Sequence, residues 1–249
     1  MSILDDNYNL KEYLENQIKD TLEKFKLFTT WSEKDVCEYK KLLEKLKEPS
    51  IDGETTKEKG NKLEELISFI INKSYFFEVH SNIHTGTNEI DEVIVLSKQG
   101  KQAMSSYGIS RDLLEINTDV ILGECKNYQS RLNVTYVGKF YSLMVASGVS
   151  FGIIFTQNGL TGVENEYRDA QGLIKVLRII EKYKNRNDDF FILSFELEDY
   201  EKIGEGRSIF DLIKSKKLAI QCASTYDSFL TDYKHENENE IKEVIQKIN

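Results

Sequence analysis

The spacing of hydrophobic positions changes several times along the chain, and each change marks an element. Leu10, Leu14, Ile18, Leu22 and Phe25 recur at three- and four-residue steps, which predicts an amphipathic helix over about residues 8–28. Ser32 followed three residues on by Asp35 resembles a capping box, and Val36, Tyr39, Leu43 and Leu46 carry a second helix that stops near Pro49. Two such helices joined by a few residues predict a hairpin with a buried seam. It is expected to serve packing or dimerisation, or to offer a surface to DNA or to a protein partner. The polar stretch 50–58 reads as a linker. Leu63, Leu66, Ile67 and Ile70 then mark a third helix, with Glu64 on the flank of its apolar stripe and Glu65 towards solvent.

The period next shortens to two. Tyr75–Val79 predicts a strand, followed by a turn over 81–88 with His80 and His84 as surface residues. Glu89–Leu96 predicts a second strand, in which Asp91 shares a face with Val93 and Val95 while Glu92 shares the other with Ile90, Ile94 and Leu96. A polar insertion over 97–117, with a short helix near 112–116, carries Lys98, Lys101 and Arg111, which are expected to contribute DNA affinity. Val120, Ile121 and Leu122 then form a short apolar strand that turns charged at Glu124, Cys125 and Lys126. Val134–Val145 reads as a helix, and Val149–Thr156 as a buried strand. Val163–Tyr183 reads as a long helix with Tyr167, Ala170, Ile174, Leu177 and Ile180 inward. Phe190–Phe195 is a further strand and Ser208–Lys216 a last helix. The order predicts an α/β sandwich around a mixed central sheet. The sandwich occupies 59–222, between the helical hairpin of 1–49 and a charged tail of 223–249.

Composition narrows the picture. In 249 residues, 40% hydrophobic, there is enough apolar surface for a sizeable core. The formal charge of −9 argues against a broad surface that coats nucleic acid, yet leaves room for a local positively lined groove. Cys37, Cys125 and Cys222 lie far apart, which excludes a cysteine-rich zinc module and points to a reducing compartment. With no apolar span and no amino-terminal signal, the chain is expected to be soluble and cytoplasmic, without a membrane partner.

The chemistry concentrates at element edges. Side chains alternate along a strand, so Glu124 and Lys126 point one way and Cys125 the other. Alone, Glu-x-Lys is an ion pair of little consequence. In company with Asp91 and Glu64, it offers clustered carboxylates that suit Mg²⁺, and a lysine to orient or deprotonate a water or to offset charge on a phosphate. These residues, carried by KGNKLEELISFII, EIDEVIVL, ILGECKN and FGIIFTQNGLTG, resemble the PD-(D/E)xK nuclease superfamily, and within it the Mrr-like restriction endonuclease catalytic domain. The resemblance runs from about Lys59 to Leu197. It implies a restriction-endonuclease-like fold and metal-dependent DNA cleavage, usually by homodimers, in defence against foreign DNA. By that resemblance Asp91, Glu124 and Glu64 are metal ligands and, with Lys126, the catalytic set; Mg²⁺ is the expected ion, with Mn²⁺ able to substitute. The alternatives are a nuclease activated by a partner protein through the amino-terminal helices, and a silent DNA-binding or assembly module on the same fold.

Overall fold

The computed structural model describes residues 3–49, 55–84, 89–185 and 189–230. Helices α1 (Ile3–Thr29), α2 (Glu33–Lys47) and α3 (Thr56–Lys73) precede strands β1 (Phe77–His84) and β2 (Glu89–Leu96). Helix α4 (Lys98–Tyr107) and a 3-10 turn at Arg111–Leu114 lead to β3 (Val120–Lys126), followed by α5 (Val134–Ser147), β4 (Phe151–Thr156), α6 (Asp169–Asn185) and β5 (Phe191–Phe195). Helices α7 (Leu197–Gly204) and α8 (Ile209–Cys222) and a 3-10 turn at Tyr226–Phe229 complete the described chain. The tail beyond residue 230 lies outside the described residues.

The five strands lie in sheet order β1-β2-β3-β4-β5. The first three pair antiparallel, whereas β3, β4 and β5 run parallel, joined by the crossovers that contain α5 and α6. The protein is therefore an α/β sandwich on a mixed sheet, as its periodicity predicts. Helices α5 and α6 cover one face, where Val137, Phe140, Met144, Ala170 and Ile174 pack on Leu122, Ile154 and Ile192. Helices α2, α3, α7 and α8 cover the other, where Leu63, Leu66, Ile67, Tyr200 and Leu212 pack on Ile121, Ile153, Phe155 and Leu193. Every residue of β4 is buried, as expected of a parallel strand covered on both sides.

Several elements depart from the sequence reading. The expected seam between the first two helices does not form: α2 turns Tyr39, Leu43 and Leu46 into the main core, while α1 is exposed along residues 10–20. Helix α3 begins at Thr56, inside the stretch assigned to the linker, behind a capping box of Thr55 and Glu58. Strand β1 continues to His84, so His80 and His84 lie on a strand and not in the turn. Helix α6 starts at Asp169 and not at Val163, so Tyr167 lies before it and is exposed; within it Ala170, Ile174 and Leu177 are buried, but Ile180 faces solvent.

Candidate functional site

The geometry centres on a fork between β2 and β3. Their ladder ends at Glu92–Gly123, while on its other edge β3 stays paired to β4 as far as Lys126–Thr156. On the β1 side, Ser81–Glu92 and Ile83–Ile90 are pairs, with Asn82 and Asp91 between them outside the ladder. Asn82 sits there at a left-handed φ of 56°, a kink in the outer strand directly beside Asp91.

Asp91 takes over where the ladder stops. Its Oδ2 accepts the main-chain N–H of Cys125 at 3.0 Å and the Lys126 ammonium at 2.7 Å. The same ammonium lies 2.9 Å from Oε1 of Glu124. Two oxygens bonded to one nitrogen are within ~6 Å of each other, so the fork brings three of the four sequence-designated residues to one point. Asp91, Glu124 and Lys126 keep 19%, 21% and 22% side-chain exposure, so the cluster is shielded yet open to solvent.

Partial burial sets the electrostatics. Burial, reinforced by the charge of Asp91, raises the Glu124 carboxyl, against the pull of Lys126 and Lys139. Burial also works against the charge on Lys126, but Glu124 and Asp91 outweigh it and hold the ammonium well above its ordinary range. Lys126 is thus held as a cation by the two carboxylates it faces.

Glu64, the fourth designated residue, is half-buried on α3. Its charge acts on Glu92 and Cys125. Glu92 is fully buried on the α3 side of the sheet, where Ser81 Oγ donates to its Oε2 at 2.7 Å and its Oε1 has no hydrogen-bond partner. Burial pushes the Glu92 carboxyl up to about 7 despite that hydrogen bond, and the charges of Glu64 and Asp91 add to the rise. A cleft of about 490 Å³ between α2, α3 and β1 is lined by Glu38, Asn61, Glu64, Glu65, Phe69 and Ser81, and by none of Asp91, Glu124 or Lys126. Among the described residues, no group of three or more histidines, cysteines or acids is placed to hold a metal ion.

Three features around the fork went unread in the sequence. Asn127 Nδ2 donates to the Lys59 carbonyl at 2.7 Å, and Asn158 Nδ2 donates to the Tyr128 carbonyl at 2.7 Å, so the loop after Lys126 is clamped from both sides. Tyr128 packs on Tyr136 at a ring distance of 5.6 Å; burial and the hydrogen bond between the two phenols raise its hydroxyl, which also feels Lys126 and Glu124. Lys139, on α5, adds positive charge beside Glu124. The two amide bonds join segments 68 and 30 residues apart, for which no local spacing gives a signal.

The cations of the insertion lie away from the fork. Lys101 and Arg111 each reach Asp119 at 2.6 Å, at the start of β3. The fork is at the far end of that strand, roughly 20 Å away at the usual rise per residue. Both cations lie apart from the cluster, sharing the one carboxylate of Asp119.

Neither family models, nor curated proteins, nor solved structures match this chain. Among the described residues, no helix is long and apolar enough to cross a membrane.

Proposed function

We propose that the protein is a metal-dependent nuclease that hydrolyses phosphodiester bonds in DNA, on a restriction-endonuclease-like version of the α/β sandwich. One observation carries the reading: a single ammonium, Lys126, lies between the carboxylates of Asp91 and Glu124 where two strands part. Such a trio is costly to shield from water and returns little as a structural ion pair, so its retention favours a chemical role.

The donor set is that of a hard divalent ion. Asp91 and Glu124 turn oxygens towards one point, which the Lys126 ammonium fills and from which it would shift to admit an ion, and the Cys125 thiol is buried on the opposite face. Two carboxylates leave the rest of a coordination shell to waters and to substrate phosphate, a common arrangement for Mg²⁺. Asp91 and Glu124 would hold the ion; Glu64, on α3, acts on Glu92 and Cys125 of the other face. Held by those carboxylates, Mg²⁺ or Mn²⁺ would supply Lewis acidity towards a phosphate and a water. Lys126, held as a cation, binds a phosphate oxygen and stabilises the negative charge that grows on it in the transition state.

The test is incubation of plasmid DNA, with an RNA arm, in Mg²⁺, Mn²⁺ or EDTA. Asp91→Asn and Glu124→Gln are expected to lose cleavage by about a hundredfold or more, and EDTA to abolish it. Glu92→Gln, on the other face, is expected to cut at the wild-type rate. Cleavage that persists in EDTA would overturn the reading. Loss in Glu92→Gln with retention in Asp91→Asn would move the metal site to Glu92.

A further inference from the structure

Tyr128 follows Lys126 by two residues, where the chain leaves β3 and the fork opens to solvent. Two residues span at most about 7 Å, so its ring stands beside the nucleotide that would flank a phosphate bound at Lys126. The charges of Lys126 and Glu124 both reach its hydroxyl. Tyr128 is 36% exposed, and Gln129, Ser130 and Arg131 after it are exposed as well. Its place is nevertheless fixed. The Asn158 amide donates to its carbonyl at 2.7 Å, and its ring leans on that of Tyr136 at 5.6 Å and 54°. Tyr136 in turn packs on the apolar layer beneath α5. An aromatic ring is thus held ready at the mouth of the fork, so little ordering is left to be done when a ligand arrives.

What the pair offers follows from its hydrogen bonding. The two phenols bond to each other, which turns their hydroxyls inward and leaves the ring of Tyr128 as the part shown to a ligand. A ring face gains little from a phosphate, whereas every base has a π-face that stacks on it. In a paired duplex the base faces are covered by their neighbours, and the ring would meet only sugar and phosphate. A base left unpaired beside the cut can turn onto the ring. Two exposed cations flank the position, Arg131 on the same loop and Lys139 on α5, and cations interleaved with aromatics are the arrangement that follows an unpaired strand. We propose that Tyr128, backed by Tyr136, is a stacking platform for an unpaired DNA base next to the phosphate held at Lys126. The proposal rests on the nuclease reading of the fork and names its substrate class: single strands, bubbles and frayed junctions ahead of intact duplex. Tyr128 binds and positions the strand and takes no part in the bond cleavage.

Two measurements on the full-length protein separate the platform from the reading beneath it. Filter binding in Ca²⁺ compares one oligonucleotide as a single strand and as a fully paired duplex. Single-turnover cleavage in Mg²⁺ compares that duplex with a copy carrying a central unpaired bubble. The wild type is expected to favour the unpaired form about tenfold or more in both. Tyr128→Ala and Tyr128→Leu, the second keeping apolar bulk without an aromatic face, are expected to lose about tenfold in single-strand affinity and with it the preference. Tyr128→Phe, which keeps the ring, is expected to retain both. A preference that survives Tyr128→Leu, an equal loss in Tyr128→Phe, or a wild type that treats paired and unpaired DNA alike would each overturn the platform, and metal-dependent cleavage without preference would leave the nuclease reading standing. A single-strand preference that depends on the Tyr128 ring, in a protein that cuts nothing in Mg²⁺, would support the platform and overturn the nuclease reading instead.

Discussion

Asp91 accepts two bonds through one oxygen, and one of them is a main-chain bond that the ladder would otherwise make. This couples the site to the sheet: the carboxylate that faces Lys126 also finishes β3 where β2 leaves it. The neighbouring pair explains how the strands come so close. A Cβ added to Gly123 would lie 2.8 Å from Glu92 Cβ and 3.3 Å from Phe155 Cε2, far nearer than two side chains facing each other in a ladder can stand. Gly123→Ala is therefore expected to destabilise the fold by about 1–3 kcal/mol, measured by urea denaturation. A stability equal to wild type would mean that the strands separate there freely. At this scale the sequence was partly legible. Alternation along β3 places Glu124 and Lys126 together, and alternation along β2 separates Asp91 from Glu92. The full burial of Glu92 was not legible, because it depends on Gly123 and Ser81, which come from two other strands.

Helix α2 shows the same division between local and distant causes. Its capping box of Ser32 and Asp35 is readable from two residues three apart, and it forms. What the sequence does not disclose is that Lys73, at the end of α3, also bonds Asp35. That bond, with those from Ser32, lowers the Asp35 carboxyl from 3.8 to about 2. A carboxylate whose folded pKa is depressed contributes stability above its unfolded pKa and loses it as pH falls through the folded one. The melting-temperature gap between wild type and Asp35→Asn should thus be widest above about pH 4 and close as pH falls towards 2. A gap constant across that range would place the stabilisation elsewhere. Elements without an apolar stripe were the hardest to read. Of α4, only Gly100 and Ala103 are buried, and Gly100 lets the helix approach so closely that an added Cβ would lie 2.5 Å from the Phe76 carbonyl oxygen. Helix α7 is eight residues long, too short for its periodicity to stand out. In α1 the stripe was visible, but its partner is not α2.

Across the whole molecule, a net charge of −9 leaves any attraction for a polyanion to local arrangement. Lys126 and Lys139 stand at the fork, whereas Lys101 and Arg111 are paired to Asp119 at the other end of β3. If the protein binds DNA as proposed, its affinity should fall with salt. Many phosphate contacts share that affinity, so one lysine changes the salt slope by only about one unit. The same lysine beside the scissile phosphate acts on charge that develops only in the transition state, where a single group is worth about a hundredfold or more in rate. The most direct measurement is single-turnover cleavage in Mg²⁺ beside filter binding in Ca²⁺, for wild type and Lys126→Ala. The account predicts a rate lowered by about a hundredfold or more at nearly unchanged affinity. A Lys126→Ala protein that cuts at the wild-type rate would contradict it and leave the Asp91, Glu124 and Lys126 cluster as a structural ion pair.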